Sequence, residues 1–361
     1  MGTHRITVIP GDGIGKETIR EALKVLRVAE KLGKNAFKLE ITQLDWNSEY
    51  YVKHGRMMPE DGIDILKGCD AILFGAVGDA RVPEHISVAQ TILAMRRNLD
   101  QWANIRPARL FAGAPCPLKD KQPGSIDFVV VRENTEGEYA DIGGTIFNNT
   151  SNEIAVQSAI FTRRGCERIL RYGFELARKR KQQGMGKGQL ISVSKHNAQR
   201  HTQVFWNNVF EDVRRDYPDI ESRPLYVDAA AMDMVRRPET FDVLVASNLF
   251  GDILTDLAGV VVGGIGIAPS ANLNPDRKFP SMFEPVHGSA PDIAGKNVAN
   301  PLAAVMAGAM MLDFLGEEAT AVAVTKAVES VLGDAHAPRT ADFGGMAKTS
   351  EVGDEIAARL G

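Results

Sequence analysis

The sequence predicts an α/β protein built on a sheet that is at least partly parallel, and three observations carry that prediction. Short β-branched runs alternate with longer segments of helical periodicity along most of the chain. Charged residues follow several of those runs at once, as they do where ligands collect at the carboxyl ends of parallel strands. The 361 residues, 44% of them hydrophobic, suffice for one large domain or two medium ones with more than one buried layer.

Taken in order, "RITVIP" reads as a strand and "KETIREALKVLRVAEKLG" as the helix after it, and "DAILFGA" pairs in the same way with "ISVAQTILAMRRNLDQWA". "DFVVVREN" is a further strand, running into Arg132, and "QLISVSK" ends in Lys195 before the helical "NAQRHTQVFWNNVFEDVRRDYP". "PLYV" leads into Asp228, and "FDVLVASN" runs through a turn into the helical "SNLFGDILTDLAGVVVGG". Between Tyr139 and Glu153, turn residues surround a short hydrophobic centre, the pattern of a hairpin arm able to reach a partner subunit. "LFAGAPCPLKDKQPGS" is a loop between elements. Near the carboxyl end Asn300 and Pro301 supply a cap and first turn for "LAAVMAGAMMLDFLG", a helix apolar on nearly every side and so expected in the core.

Several functions are disfavoured by composition. Net charge is −4 and the basic residues are spread along the chain, apart from "ARKRKQQGMGKG", which reads as a solvated helix end rather than a nucleic-acid footprint. The three cysteines, Cys69, Cys116 and Cys166, form no CxxC or Cys/His cluster, which argues against a zinc site or disulfide framework and for a reducing compartment. With no apolar stretch of signal-peptide or membrane-span length, a cytoplasmic protein is expected, binding neither membrane nor nucleic acid.

Four stretches carry candidate chemistry. "PGDGIGKE" lacks the spacing of a dinucleotide fingerprint, because Gly15 follows Gly13 by two residues, and what remains is a turn where backbone can approach a ligand closely. "FEPVHGSAPDIAGKNVANP" sets His287, Gly288 and Ser289 near Asp292: backbone N–H groups can hold phosphate there, and a carboxylate can accept both ribose hydroxyls while repelling a 2′-phosphate, which favours NAD over NADP. Asp252 and Asp256 share a helix face among apolar neighbours, so their repulsion calls for a cation between them, and two carboxylates suit a hard divalent one. Arg96, Arg97, Arg106, Arg109 and Arg132 offer forks for the carboxylates of a small organic acid.

Taken together, "IPGDGIGKE", "NIRPARLF", "VVRENTEGEYA", "VSKHN", "YVDAAAMDMV", "SNLFGDILTDLAG" and "FEPVHGSAPDIAGKNVANP" resemble, in order and across essentially the whole chain, the NAD(P)-dependent β-decarboxylating dehydrogenases. "VPEHIS", "RENTEGEY" and "APSANLNPDRKFPS" are most similar to the tartrate/D-malate branch. The resemblance implies an isocitrate/isopropylmalate dehydrogenase-like two-domain α/β fold with a mixed sheet, distinct from a Rossmann fold. Its larger domain would comprise residues 1–101 and 262–361 with the NAD loops, and its smaller one residues 102–261 with the dimer interface and arm.

Roles follow from the same resemblance. It implies that Arg96, Arg106 and Arg132 clamp substrate carboxylates and that Tyr139 and Lys195 transfer protons. Asp252 and Asp256 would bind Mg²⁺ or Mn²⁺ with Asp228 from the other subunit of a homodimer, Lys195 also crossing that interface; a potassium ion is left open. His287, Gly288, Ser289, Ala290, Asp292 and Asn300 would bind the adenosine half of NAD, and Asn197 the nicotinamide. The implied reaction is metal-dependent oxidation by NAD⁺ of a small 2-hydroxy dicarboxylic acid, tartrate or D-malate, with loss of CO₂ from D-malate; 3-isopropylmalate is the alternative substrate. In "SVAQTILAMR" the small polar pair expected for a third carboxylate is missing, which argues against isocitrate, while Ile92 and Leu93 keep some bulk and Ala89 is small.

Overall fold

The fold was described from a computed structural model, in residues 2–32 and 37–361. In chain order the strands are β1 (Thr3–Gly11), β2 (Lys38–Gln43), β3 (Ala71–Ala76), β4 (Ala103–Arg109), β5 (Asp127–Glu133) and β6 (Gly137–Ile146). They continue as β7 (Ile154–Ile160), β8 (Gln189–Ser194), β9 (Glu221–Tyr226), β10 (Val243–Ala246), β11 (Pro269–Leu273) and β12 (Ser281–Pro285). Two compact units result, a larger one of Met1–Gln101, Arg106–Ile126 and Ala258–Gly361 and a smaller one of Trp102–Ile105 and Asp127–Leu257.

The larger unit carries strands in the order β2-β1-β3-β12-β11, parallel except for the antiparallel β11/β12 pair, so its sheet is mixed. β3 is buried along its whole length, which matches its unbroken apolar sequence. The helix Leu302–Phe314 lies in the core as its composition requires, packed between Gly15–Ala29 and Glu318–Gly333. Its start differs slightly from the expected cap: Pro301 is the capping residue, while Asn300 Oδ1 accepts the Leu302 N–H at 3.0 Å.

In the smaller unit β5-β10-β8-β9 is parallel throughout, flanked by the helices Arg163–Gln182 and Thr202–Val213. Phe174 of the first stacks on Phe210 of the second, with ring centroids 6.3 Å apart. β6 and β7 form a separate antiparallel hairpin whose outer half is exposed, at the position where the arm was expected.

Three local expectations are corrected. The helix before the arginines ends at Asn98, Asp100 takes a left-handed φ of 40°, and Arg106 and Arg109 lie on β4, whose Pro107 cannot continue a helix. Residues 106–126 and 258–261 group with the larger unit rather than with 102–261, because the loop before β5 packs there: Cys116 Sγ donates to Val261 O, and a Cβ on Gly113 would lie 1.9 Å from Leu332 O. Finally, Arg180 in "ARKRKQQGMGKG" is buried, not solvated. It donates to Asp242 (2.8 Å) and Asp127 (3.0 Å), and Asp242 also accepts from Gly188 N and Gln189 N.

Removing one partner of such a pair leaves the other charge buried and uncompensated. Arg180→Met is therefore expected to destabilise the protein by about 3–5 kcal/mol, read as a lowered urea midpoint.

Candidate functional site

In the smaller unit the chemistry converges on Asp252. Arg132 lies on β5 between strands β10 and β4 in sequence-distant surroundings that leave its side chain 1% exposed, so its charge needs a partner inside the protein. The helix Asn248–Val261 supplies it: Arg132 Nη1 donates to Asp252 Oδ1 at 2.6 Å, and Nη2 and Nε donate to Asn248 Oδ1 at 2.6 and 3.1 Å. Asn248 is fixed in turn by donating to Glu136 O at 3.1 Å. Close approach of this helix requires Gly251, where a Cβ would lie 2.6 Å from Arg132 Cγ. The second oxygen of Asp252 accepts from the Tyr139 hydroxyl at 3.0 Å, and the guanidinium lies 5.5 Å from the Tyr139 ring centre. One carboxylate thus joins the sequence-predicted anion-binding arginine to the predicted proton donor.

Asp256, one turn further on, is exposed, as are Ile253 and Val260 beside it. This corrects the expectation that apolar neighbours shut Asp256 away from water: those neighbours face outward on the same side of the helix. Lys195 follows β8 and Asp228 opens the helix Val227–Arg236, and Lys195 Nζ donates to Asp228 Oδ1 at 2.8 Å. That hydrogen bond holds the Asp228 carboxyl below its usual range. Asn197 is exposed in the loop after Lys195. Among the described residues no three His, Cys, Asp or Glu side chains group as a metal site, so Asp228 does not join Asp252 and Asp256 within the chain. The donors themselves, carboxylate oxygens, are of the kind a hard divalent cation takes, and on Asp252 a cation would share those oxygens with the Arg132 guanidinium and the Tyr139 hydroxyl.

In the larger unit Arg96 is buried and donates through Nη2 to Glu284 Oε1 at 3.0 Å, while Arg106 Nε donates to Ser270 Oγ at 3.4 Å. The turn before Arg96, Ala89–Leu93, is a π-helix, and Gln90 in it is tied back by accepting from Met57 N at 3.1 Å. The loop after β12 holds the predicted dinucleotide residues. His287 Nδ1 lies 3.0 Å from Gly288 O and can only donate to it, so the proton sits on Nδ1 and the Nε2 lone pair is left buried, without a partner among the described residues. Such an orphaned acceptor fits an N–H or O–H of a dinucleotide. Ser289 is buried, Ala290 holds a left-handed φ of 41°, and Asp292 is exposed.

The glycine-rich turn that failed as a fingerprint has a different use. Ile14 N donates to Ser289 O at 2.8 Å, and at Gly13, φ 53°, a Cβ would come within 2.0 Å of that oxygen. Asp12 anchors the turn by accepting from Ser48 N (2.9 Å), Ser48 Oγ (2.7 Å) and Gly78 N (2.9 Å). Asn300 Nδ2 donates to Asp342 Oδ2 at 2.9 Å.

With this geometry in hand, comparison with known proteins is decisive. Residues 5–356 match the family model described as isocitrate/isopropylmalate dehydrogenase. The chain belongs to that family. It is 51% identical to a D-malate dehydrogenase [decarboxylating] of Escherichia coli (strain K12), over 99% of this chain and 98% of that protein. It is 48% identical to a tartrate dehydrogenase/decarboxylase of Pseudomonas putida, again over 99% and 98%. The crystal structure of isocitrate dehydrogenase from Methylococcus capsulatus matches with a TM-score of 0.87 at 35% identity, covering 99% of both chains. The protein is accordingly an oxidoreductase with the α/β fold of this family.

Sequence reading missed several residues that hold the candidate ones: Asn248, which holds Arg132, Glu284, which holds Arg96, and Asp342, which holds Asn300. For Glu284 a signal existed. A carboxylate inside the apolar run "SMFEP" must be buried and so must meet a cation.

Burial pushes the His287 imidazole below its usual range. As pH falls through about 6.5, the unfolded chain takes up the proton before the folded one does. Stability is thus complete above that pH and declines as pH falls toward the folded value. In His287→Gln the drop in urea midpoint between pH 7.5 and 5.5 should be smaller than in the parent.

Proposed function

We propose that this protein oxidises small 2-hydroxy dicarboxylic acids with NAD⁺, D-malate and tartrate above all, and that D-malate also loses CO₂ to give pyruvate. The observation that carries the reading is the cluster on Asp252, where the buried Arg132 guanidinium, the Tyr139 phenol and the Asp252 carboxylate are in contact. The names of the D-malate and tartrate relatives support these substrates over 3-isopropylmalate.

In this reading Arg96, Arg106 and Arg132 bind the substrate carboxylates, their forks matching carboxylate geometry. When bound, NAD⁺ would accept the hydride and a divalent cation, Mg²⁺ or Mn²⁺, would polarise the hydroxyl and carboxylate oxygens of the substrate. Asp252, Asp256 and Asp228 hold that cation, Asp228 coming from a second subunit. Lys195, which comes from the same second subunit as Asp228, takes the substrate hydroxyl proton at Nζ. After decarboxylation Tyr139 returns a proton to carbon 3. His287, Gly288, Ser289, Ala290, Asp292 and Asn300 bind the adenosine half of NAD, and Asn197 contacts the nicotinamide. A potassium ion can complete the charge balance.

A homodimer with shared sites is supported by the apolar side chains that the smaller unit leaves in water. They are Ile146, Phe147 (61% exposed) and Val156 on the hairpin, Met232 and Val235 on Val227–Arg236, and Ile253 beside Asp256. A cytoplasmic location is supported by three free thiols, Cys69, Cys116 and Cys166. No helix among the described residues is long and apolar enough to cross a membrane.

The test is NADH formation with Mn²⁺ across D-malate, the tartrates, 3-isopropylmalate and isocitrate, with CO₂ measured alongside. D-Malate and a tartrate should be the best substrates, chelation should abolish turnover reversibly, and Asp256→Asn should lower kcat by about 100-fold or more. Preference for 3-isopropylmalate, or undiminished turnover after chelation, overturns the reading.

A further inference from the structure

The larger unit contains a support for its arginines that the function above does not use. β11 and β12 pair antiparallel with Ser270 opposite Glu284 and Asn272 opposite Met282. Residues two apart on a strand share a face, so Ser270 and Asn272 project to the same side of β11. Ser270 meets Arg106, and Asn272 Nδ2 donates to Glu284 Oε1 at 2.7 Å, the same oxygen that accepts from Arg96 Nη2 at 3.0 Å. The side chains of Arg96 and Glu284 are each 6% exposed, and Arg96 Nε donates to nothing among the described residues. A buried guanidinium is therefore held at one edge by a carboxylate that is itself held by an amide, while its Nε is buried without an acceptor. The turn beyond reinforces the arrangement: Gln101 Nε2 donates to Pro280 O at 2.9 Å and Asn274 Nδ2 to Asp100 O at 2.8 Å, tying the end of the Arg96 helix to the β11/β12 hairpin.

We propose that Glu284, steadied by Asn272, is a positioning residue for substrate: it fixes the Arg96 guanidinium so that its remaining donors meet a substrate carboxylate. The proposal rests on the role given to Arg96 above. Glu284 touches no reacting atom. Its contribution is geometric, because a long arginine side chain left without it can swing among rotamers and must be ordered again each time substrate binds. Its charge works in the opposite direction, since a carboxylate on Arg96 weakens the pull of that arginine on a substrate dianion. Geometry and charge therefore predict opposite effects for two substitutions.

The experiment compares Glu284→Ala, Glu284→Gln and Asn272→Ala with the parent enzyme, measuring kcat and the KM values for D-malate and NAD⁺, with circular dichroism and melting temperature as fold controls. In Glu284→Ala the KM for D-malate should rise about tenfold or more, with the KM for NAD⁺ within about twofold of the parent and kcat changed less than KM. The Gln side chain keeps an oxygen that can accept from both Arg96 and Asn272, so Glu284→Gln should restore a D-malate KM equal to or below that of the parent. If Glu284→Ala does not fold, Asn272→Ala decides: it should raise the D-malate KM about threefold. Equal loss in Glu284→Ala and Glu284→Gln, or an unchanged D-malate KM in the folded alanine variants, overturns the proposal. Failure of the functional reading is told apart by the parent itself, which would then turn over no hydroxy diacid at all.

Discussion

A guanidinium in a dry interior constrains everything around it. Arg132 sits on β5 directly after the apolar, buried run Phe128–Val131, and the cost of removing that charge from water is several kcal/mol unless a carboxylate and further acceptors meet it. The helix Asn248–Val261 exists in its present position to meet it. Asn248 and Asp252, one turn apart, both accept from the guanidinium, and Gly251 between them is small because the arginine stem occupies the space a side chain would need. Tyr139 then finds the remaining oxygen of Asp252. The order of dependence runs from the buried charge to the helix, and from the helix to the phenol.

The same device recurs in the larger unit with different parts. Arg96 is buried and faces Glu284, and Asn272 plays toward Glu284 the part that Asn248 plays toward Arg132, an amide that fixes the polar partner. In both cases the arginine is held before any ligand arrives. Preorganised forks lose less freedom on binding a carboxylate than solvated ones do, which is why burial, expensive in itself, suits a small anionic substrate.

What the sequence made legible follows from which physical signals are local. Alternation of β-branched and helical segments is local, and so β1, β3, β5, β8, β9 and β10, the hairpin at residues 137–160 and the core helix Leu302–Phe314 were legible, while β2, β4, β11 and β12 were not. Burial of a charge is not local. Arg180 looked solvated inside "ARKRKQQ" because nothing nearby in sequence announces Asp242, sixty-two positions away, and the helix of "AMRRNLDQWA" was read too far because Asp100 gives no hint of its left-handed turn. The arginines and aspartates were found as residue types, and their roles came from ordered motifs rather than spacing. Their holders, Asn248, Asn272 and Glu284, were missed because a neutral amide carries no signal and a lone glutamate in an apolar run is easily passed over. The glycine-rich turn lacks the fingerprint spacing, and what the structure shows it doing, backing the carbonyl of Ser289, depends on a contact across more than 270 residues.

The two halves of the chemistry stand in different states in a single chain. The candidate arginines are buried and paired, Arg132 with Asp252 and Asn248 and Arg96 with Glu284. Asp256 and Asp228, by contrast, are exposed, and exposed apolar side chains lie beside the first on its helix and along the helix that carries the second. A carboxylate in open water binds a divalent cation weakly, because the ion keeps its hydration and nothing lowers the surrounding dielectric. Covering those apolar faces with a second subunit would remove water from the carboxylates and add a third oxygen donor at the same time. On the dimeric reading, association and cation binding are therefore one event seen from two sides: the apolar surface that drives subunits together also makes two surface aspartates into a site.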